Sequence, residues 1–411
     1  MVYGLLGRTL RHSYSPQIHA LLGDYEYRLF EVEPQDLEAF LKKREFGGIN
    51  VTIPYKKDVL PYLSGISDNA KRIGAVNTII VKEDGGLYGD NTDYDGFLCL
   101  VQKSGFQVKG KKALVLGTGG ASLPISAVLS DLGAREVVFI SRSGENNYQN
   151  LSRHADADLI VNTTPVGMYP NNLKAPLSLS EFPNLSGVLD IVYNPQKTKL
   201  ILDAERLGIP AYSGLLMLVA QGKRAAELFL GHDIPDSETD RIFKKLSTEM
   251  QNIVLVGMPG CGKTTVGKAL AEQLNRPFFD ADEEILKQTG KSAEAWIEAC
   301  GEAVFRQKET EVLESLCKQS GTVIATGGGA VTVPENADIL RQNSIVFFIN
   351  RDVSALPVEG RPLSKATALS EMYEVRLPLY RGVCDYKIAA DDGVDAVVRR
   401  ILEDLQLKIF W

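Results

Sequence analysis

The sequence predicts an α/β protein with more than one domain. Short apolar runs alternate with helical patterns through most of the chain, which is typical of domains with parallel sheets. Two of these runs lead directly into glycine-rich turns, at residues 117–122 and 257–265. A chain of 411 residues is also too long for one ordinary core, so two or three domains are expected.

Composition restricts the class of protein. The hydrophobic fraction of 44% and the charged fraction of 24% are typical of soluble globular proteins. A net charge of −7 disfavours an extended nucleic-acid surface, and no apolar run approaches the ~20 residues that span a membrane. The five cysteines include no C-x-x-C pair, which favours free thiols in a reducing cytoplasm. We expect a cytoplasmic protein without nucleic-acid or membrane partners, and its oligomeric state is left open.

The order of apolar runs and polar turns places two boundaries. Strands are predicted within 47–54, 111–117, 136–141 and 157–162. A charged amphipathic helix is predicted over 237–246, with Ser237 as its N-cap, and another strand follows almost at once. We therefore predict one boundary near 248–251, with few backbone hydrogen bonds crossing it, and another near 100–110.

The run from Gly257 to Thr265 fits G-x-x-x-x-G-K-[ST] between an apolar strand and a helix. In that context the glycines let backbone N–H groups surround a phosphate, Lys263 reaches the terminal phosphates, and Thr264 offers a hydroxyl to Mg²⁺. The residues expected to bind nucleotide are Gly260, Gly262, Lys263, Thr264 and Thr265.

A second glycine-rich turn follows the strand at 111–117. Gly117, Gly119, Gly120 and Ala121 resemble a dinucleotide fingerprint, although Ser122 stands at the third glycine position. The next strand leads to Arg142 and not to an acidic residue, which favours a 2′-phosphate and hence NADP(H). An ordinary strand-to-helix turn and a surface arginine are the alternatives.

Several further segments carry polar groups near strand ends. They are Ser13-Tyr-Ser15-Pro-x-x-His, Asn50-Val-Thr52-x-Pro-x-Lys56, Gly74-Ala-Val-Asn77-Thr, Gly89-x-Asn-Thr-Asp93, Val192-Tyr193-Asn-Pro and Met217-Leu-Val-x-Gln221. Taken singly, each fits a helix cap, a surface lysine or a polar turn. In this order, and with the dinucleotide turn, they resemble the shikimate dehydrogenase family over residues 1–247.

The resemblance implies a fold and a set of roles. It implies a substrate-binding α/β domain over 1–104, an abbreviated Rossmann NADP domain over 105–214, and helices over 215–247 that pack back on the first domain. Lys56 and Asp93 would form the catalytic pair, and Gly214 would contact the cofactor. The substrate would be held by Ser13, Ser15, Thr52, Asn77, Tyr193 and Gln221.

Two departures from the family pattern bear on the cofactor. The basic motif after the second Rossmann strand has Ser141 in place of asparagine and Glu145 in place of a second arginine. The stretch from Ser143 to Asp156 is also short, so a helix–strand unit is expected to be missing. A quinate-type dehydrogenase that uses NAD therefore stays an alternative.

Beyond the phosphate loop, a further set of motifs appears at regular intervals. Asp280-x-Asp282 would put two carboxylates on one face if extended, one for Mg²⁺ and one for a substrate hydroxyl. Phe305-Arg306, Gly327-Gly-Gly, Arg361-Pro-Leu and Arg376-x-Pro-Leu-Tyr380 follow. The segment 251–411 resembles shikimate kinase, a P-loop domain with a parallel sheet.

The kinase resemblance implies its own roles. Arg306, Arg376 and Gly328 would bind the substrate, and Asp282 would accept the hydroxyl proton. Lys263 and the lid residue Arg361 would stabilise the transferring phosphoryl group, with Thr264 and Asp280 at Mg²⁺.

Together, the two resemblances imply a fused enzyme with two consecutive activities. The first half would reduce 3-dehydroshikimate with NADPH, and the second would phosphorylate shikimate at its 3-hydroxyl with ATP. The alternatives are a quinate dehydrogenase fused to another small-molecule kinase, or a binding protein without turnover. The short junction further predicts that the halves fold and act independently.

Overall fold

The structure is a computed structural model and describes residues 1–10, 13–356 and 366–407. It contains three sheets, of six, five and five strands. The first sheet is mixed, and its strands run in the order β2-β1-β3-β5-β6-β4. These strands are β1 Tyr3–Gly7, β2 Tyr27–Glu31, β3 Gly48–Val51, β4 Gly65–Ile66, β5 Thr78–Val81 and β6 Leu87–Asp90.

Four helices accompany the first sheet, and each begins after a polar or proline-containing segment. The first of them has proline near its start and the third is capped by the Ser67 hydroxyl, both of which are ordinary ways to begin a helix. The helices are α1 Ser15–Leu22, α2 Leu37–Lys43, α3 Asp68–Ile73 and α4 Thr92–Ser104.

The second sheet is entirely parallel, in the order β11-β10-β9-β7-β8. Its elements are β7 Lys112–Leu116, α5 Ser122–Asp131, β8 Glu136–Ile140, β9 Leu159–Asn162, β10 Gly187–Asp190, α6 Lys199–Arg206 and β11 Ala211–Ser213. Only a short 3-10 turn, Leu151–His154, lies between β8 and β9. A full Rossmann sheet carries one more strand beyond this edge, so the predicted abbreviation is confirmed.

Two long helices return from the second sheet to the first. They are α7 Leu215–Leu230 and α8 Asp236–Met250. Helix α7 packs against α1 and α4, and the Tyr3 hydroxyl donates to the carbonyl of Phe229 at 2.9 Å. The prediction of Ser237 as N-cap is wrong, since α8 begins one residue earlier and Asp236 pairs with Lys223.

The third sheet is also entirely parallel, in the order β13-β14-β12-β15-β16. Its strands are β12 Asn252–Val256, β13 Phe278–Asp280, β14 Val323–Ala325, β15 Ser344–Asn350 and β16 Tyr386–Ala389. Its helices are α9 Lys263–Leu274, α10 Ala281–Thr289, α11 Ala293–Cys300, α12 Glu302–Cys317, α13 Pro334–Gln342, α14 Ala366–Val383 and α15 Val394–Leu407. One contiguous apolar core surrounds this sheet.

The junction between the second and third sheets is shorter and more extensively bonded than the sequence predicts. Only Gln251 separates α8 from β12. Helix α13 lies against α6, where Arg206 pairs with Asp338 and Arg341 with Glu205. These contacts hold the third sheet against the second. Within the described residues, no helix is long and apolar enough to cross a membrane.

Candidate active sites

The first candidate site centres on a lysine–aspartate pair. Lys56 lies just after β3, and Asp93 lies in the first turn of α4. The Lys56 ammonium donates to the Asp93 carboxylate over 2.5 Å, and both side chains are largely buried. The charged hydrogen bond fixes the position of the ammonium, so the structure brings together the two residues predicted as the catalytic pair.

Hydrogen bonds fix the start of α4 and so the position of Asp93. The Asn77 side-chain oxygen accepts from the backbone N–H of Thr92 at 2.7 Å, and its amide nitrogen donates to the Thr92 hydroxyl at 3.1 Å. Thr52 lies at the end of β3, beyond Val51. The predicted substrate residues Thr52 and Asn77 therefore lie at the same edge of the first sheet as the Lys56–Asp93 pair.

Glycine allows a close approach of two helices beside this pair. A Cβ atom on Gly96 would lie 2.6 Å from the carbonyl of Met217 and 2.9 Å from Cβ of Gln221. Since Gly96 follows Asp93 by one helical turn, the buried Gln221 of α7 lies beside the same face of α4. Gln221 thus lies near Asp93 in space, although it comes near the end of the first half of the sequence.

The segment before α1 contributes the two predicted serines. The Ser13 hydroxyl accepts from the backbone N–H of Ser15 at 3.2 Å, and Ser15 is buried. Between them, the ring of Tyr14 meets that of Tyr193 edge-on, with centroids 6.0 Å apart. The structure therefore links the serine segment to the loop that carries Tyr193.

A buried histidine supports this segment. His19 of α1 is hydrogen-bonded to the Tyr25 hydroxyl at 2.7 Å and stacks on Tyr27, with centroids 4.0 Å apart. Burial lowers the pKa of His19 to about 3, so the imidazole is neutral at physiological pH. His19 is a structural residue of the core beneath the serines.

The predicted dinucleotide turn lies beside the lysine–aspartate pair. Gly117 has φ of +103°, a conformation that favours glycine. The Ser122 hydroxyl closes the turn by donating to the Gly119 carbonyl at 2.7 Å. A Cβ atom on Gly120 would lie 3.6 Å from Cδ of Lys56, so this turn lies within contact distance of the predicted catalytic lysine.

The remaining cofactor residues flank the same sheet edge. Arg142 follows β8 and is exposed, and within the described residues it forms no ion pair. Gly214 begins the segment into α7, where a Cβ atom would lie only 2.1 Å from the carbonyl of Ile191. Gly214 is therefore required for this close backbone approach.

The second candidate site is a phosphate loop between β12 and α9. Its lysine, Lys263, begins α9 and donates to the carbonyls of Gly257 and Met258 at 2.9 and 3.0 Å. Gly260 and Gly262 have positive φ values of +80° and +102°, as expected where N–H groups turn around an anion. Thr265 lies in the first turn of α9.

A hydroxyl and a carboxylate meet beside this loop. The Thr264 hydroxyl donates to Asp280 over 2.6 Å. These are oxygen ligands of the kind that Mg²⁺ prefers, and Mg²⁺ usually keeps waters and substrate phosphates as its other ligands. The Thr264 hydroxyl and the Asp280 carboxylate therefore fit an ion of this kind.

The extended geometry predicted for Asp280 and Asp282 is wrong. Asp280 ends β13 and caps α10, where its side chain accepts from the backbone N–H groups of Asp282 and Glu283. Capping of this kind stabilises a helix start, and it turns the chain after Asp280. Asp282 therefore lies in the first turn of α10, and its carboxylate is 3.1 Å from the Cβ position of Gly327.

Glycines let the segment after β14 approach Arg306 and the phosphate loop closely. A Cβ atom on Gly329 would lie 2.0 Å from the Arg306 guanidinium, and one on Gly328 would lie 2.6 Å from Pro259 of the phosphate loop. Arg376 is buried and donates to the Gly328 carbonyl at 3.1 Å. The structure thus gathers two arginines, Gly328 and Asp282 beside the phosphate loop, whereas Arg361 lies outside the described residues.

Comparison with known proteins identifies the first half. A family model described as shikimate dehydrogenase substrate binding domain matches residues 5–79. The NADP(+)-type shikimate dehydrogenase of Clostridium beijerinckii is 36% identical over 269 residues, which cover 61% of this chain and 99% of that protein. The corresponding protein of a Clostridium perfringens strain is 38% identical, covering 60% of this chain and 98% of that protein.

The chain belongs to the shikimate dehydrogenase family. Solved shikimate dehydrogenase structures agree with this. The shikimate 5-dehydrogenase of Thermus thermophilus, in complex with NADP(H) and shikimate, has a TM-score of 0.55 and 32% identity, covering 60% of this chain and 99% of that one. A quinate dehydrogenase from Corynebacterium glutamicum, in complex with NAD, has the same TM-score of 0.55 but 27% identity, covering 59% of this chain and 98% of that one.

The second half carries a shikimate kinase domain after the shikimate dehydrogenase. The shikimate kinase family model matches residues 259–406. This range includes the phosphate-loop lysine, the Asp282 turn and both pocket arginines. The fold predicted for this half, a P-loop domain with a parallel sheet, is confirmed.

Two further residues contact the predicted substrate residues of the kinase domain. Neither has a role predicted from the sequence, although Tyr380 belongs to the Arg376-x-Pro-Leu-Tyr380 motif. Glu309 is fully buried and pairs with Arg306 at 2.7 Å, and burial raises the pKa of Glu309. The Tyr380 hydroxyl donates to the Gly328 carbonyl at 2.5 Å. The spacing of three between Arg306 and Glu309 on a helix is the signal that could have found the first.

Proposed function

We propose that this chain catalyses two consecutive steps, reduction of 3-dehydroshikimate to shikimate with NADPH and phosphorylation of shikimate at its 3-hydroxyl with ATP. The observation that carries the proposal is the presence of both groups of residues in one chain. The Lys56–Asp93 pair faces a dinucleotide turn, and two arginines face a phosphate loop. The product of the first reaction is the substrate of the second.

The first reaction needs a proton at the carbonyl oxygen of the substrate. Lys56 is placed to donate it, because its ammonium is held in one position by Asp93, and a positioned acid contributes roughly 10²–10⁴-fold. Asp93 then orients Lys56 and accepts a hydrogen bond from the new hydroxyl. NADPH supplies the hydride. Ser13 and Ser15 hold the substrate carboxylate, and Thr52, Asn77, Tyr193 and Gln221 hold its ring hydroxyls.

The second reaction needs an acceptor hydroxyl in line with a phosphoryl group. Arg306 and Arg376 bind the shikimate carboxylate, and the Gly328 backbone contributes a donor. Asp282 accepts the hydroxyl proton, while Lys263 stabilises the charge on the transferring group, as positioning and electrostatics dominate this chemistry. The Glu309 carboxylate holds Arg306 in place. Thr264 and Asp280 would hold Mg²⁺, which neutralises phosphate charge.

Three observations support the choice of cofactor and location. Arg142 is exposed after β8, where it can meet a 2′-phosphate, and the relatives that match are named as NADP(+) enzymes. The five cysteines are free, which suits a reducing cytoplasm. Small molecules are the proposed partners.

The experiment is to supply each substrate separately to the purified chain and identify each product by mass spectrometry. Reduction of 3-dehydroshikimate with NADPH and phosphorylation of shikimate with ATP are expected. Faster oxidation of quinate with NAD⁺ would instead favour the quinate-type alternative, and no turnover of any substrate would favour a binding protein.

A further inference from the structure

Two loops of the dehydrogenase half are tied to its cofactor cleft at one end and to the kinase half at the other. The first, the β9 loop, comprises residues 163–174, and the second, the β10 loop, comprises residues 191–198. Both follow the carboxyl ends of parallel strands of the second sheet. That edge is where ligands bind in open α/β sheets.

At the cleft, the two loops contact predicted cofactor and substrate residues. A Cβ atom on Gly117 would lie 2.9 Å from the Thr163 hydroxyl, so the β9 loop begins against the dinucleotide turn. The β10 loop carries Tyr193, whose ring meets Tyr14 between the two serines. Its residue Val192 accepts from the backbone N–H of Gly214 at 3.1 Å. The position of these loops therefore shapes both ligand sites.

The loops are joined to each other at their roots. Asp190, at the end of β10, accepts from the Asn162 side chain at 2.9 Å, and the Thr198 hydroxyl donates to its other oxygen at 2.7 Å. Farther out, the backbone N–H of Tyr169 donates to the Asn194 carbonyl at 3.3 Å. These bonds do not involve residues 170–174 of the β9 loop or the residues of the β10 loop just before Thr198, which are held by other contacts.

Within the dehydrogenase half, Gln196 is bonded to Ser247 and Lys197 pairs with Glu205, and the kinase half adds contacts to both loops through one glutamine. Gln342, the last residue of α13, is fully buried. Its amide donates to the Asn172 carbonyl at 2.7 Å, and its side-chain oxygen accepts from the Asn172 amide. Its own carbonyl accepts from the backbone N–H of Lys197 at 2.8 Å. One residue thus binds both loops.

Neighbouring contacts anchor the β9 loop in the same place. The Tyr169 hydroxyl donates to the Cys317 carbonyl at the end of α12, at 3.2 Å. Leu173 packs against the apolar core of the third sheet. The β9 loop therefore contacts the kinase half through Tyr169, Asn172 and Leu173.

We propose that Gln342 of the kinase half is a positioning residue for the dehydrogenase reaction, because it clamps the β9 and β10 loops in the arrangement that lines the cofactor cleft. It touches neither cofactor nor substrate and acts through Asn172 and Lys197. This inference rests on the proposed dehydrogenase function. It replaces the prediction of independent halves with a one-sided dependence of the dehydrogenase on the kinase half.

The test compares Gln342→Ala with Arg341→Ala in the full-length chain. Arg341 is the adjacent residue and also crosses the interface, but its ion pair is with Glu205 on α6, which pairs in turn with Lys197, and it is not bonded to Asn172. Gln342→Ala removes both side-chain hydrogen bonds to the β9 loop and keeps the backbone bond to Lys197. We therefore expect its KM for NADPH or 3-dehydroshikimate to rise about three- to tenfold through the β9 loop. Kinase kcat/KM for shikimate and ATP should change less than about twofold, and Arg341→Ala should leave the dehydrogenase KM values unchanged.

Asn172→Ala weakens the same contact with Gln342 from the dehydrogenase side. It removes only the bond from the Asn172 amide, since the backbone carbonyl that accepts from Gln342 stays. It should therefore raise the same KM values by less than Gln342→Ala does, and the double variant should be no worse than Gln342→Ala alone. Unchanged KM values with a lowered melting temperature would overturn the proposal, as would equal loss of both activities or the same effect in Arg341→Ala. If the wild-type chain has no dehydrogenase activity, the proposed function fails and not the clamp.

Discussion

The two nucleotide sites of this chain differ in how far apart in the sequence their residues lie. The phosphate loop completes itself, since Lys263 bonds to carbonyls of its own loop and Thr264 reaches Asp280 only sixteen residues on. The dinucleotide turn needs distant parts, because Lys56 approaches from the first sheet and loops beside the turn are held by the kinase half. We call the phosphate-loop site the local site and the dehydrogenase site the assembled site. The local site should tolerate changes elsewhere in the chain, whereas the assembled site should depend on every element that positions its residues.

The largest expected effect separates the assembled site from the local one. Lys56→Ala should lower dehydrogenase kcat by roughly 10²–10⁴-fold, because it removes the general acid, and should leave kinase kcat unchanged. Steady-state assays of both activities on one preparation measure this. Lys57→Ala, at the exposed neighbouring residue, is the control. A loss below about tenfold would remove Lys56 from this role.

The reciprocal variant tests the local site. Lys263→Ala should lower kinase kcat by roughly 10²–10³-fold, the usual cost of one charge-stabilising donor, with dehydrogenase kcat unchanged. Lys268→Ala, one turn later on α9 and exposed, serves as the matched control. Normal phosphoryl transfer by Lys263→Ala would contradict the assignment of the phosphate loop.

How much the sequence could predict follows the same division. The phosphate loop lies in one contiguous stretch, so its strand, turn and helix were all predicted from the pattern. The pairing of Lys56 with Asp93 spans 37 residues and came only from a family resemblance. Asp280 lies on the strand as the pattern has it, but Asp282 does not, because Asp280 caps helix α10 and ends the extended segment. The contact of Gln342 with Asn172 spans 170 residues, and no local pattern indicates it.

The shikimate pocket of the kinase offers a finer test. Arg306→Ala and Arg376→Ala should each raise the KM for shikimate about ten- to a hundredfold, because each removes a charged hydrogen bond. The KM for ATP should change much less. Lys308→Ala, which lies on the same helix and pairs with Glu311, is the control for Arg306. A rise confined to the KM for ATP would place these arginines at the nucleotide.

Acid should affect the two halves differently. All four histidines lie in the first half of the chain, and the pKa of His19 is lowered to about 3 from 6.5. The unfolded state then binds more protons between these values, so stability is lost as pH falls below about 6.5, by about 2 kcal/mol at pH 5. Urea titrations at pH 7 and pH 5, followed by each activity, measure this.

The variant His19→Asn isolates the contribution of that imidazole. Its dehydrogenase midpoint should fall less between pH 7 and pH 5 than that of the wild type, even if it is lower at both. The kinase midpoint should be the same in both proteins. An equal acid shift in variant and wild type would assign the effect to other groups.

The smallest expected effect concerns cofactor choice at the assembled site. Arg142→Ala should reduce the ratio of kcat/KM for NADPH over NADH by about tenfold, the lower limit for a charged hydrogen bond, since Glu145 stands where a second arginine would add to it. Arg153→Ala is the control, because Arg153 is a basic residue in the 3-10 turn Leu151–His154 that follows β8. An unchanged ratio would leave Arg142 as a surface charge.

The most direct test of the whole account is one reaction that contains 3-dehydroshikimate, NADPH, ATP and Mg²⁺. NADPH oxidation and ADP formation are followed together. We expect ADP to appear after a lag, to reach one equivalent per NADPH oxidised, and to be absent when NADPH is omitted. ADP formation from 3-dehydroshikimate without NADPH, or NADPH oxidation that is never followed by ADP, would contradict two consecutive reactions in one chain.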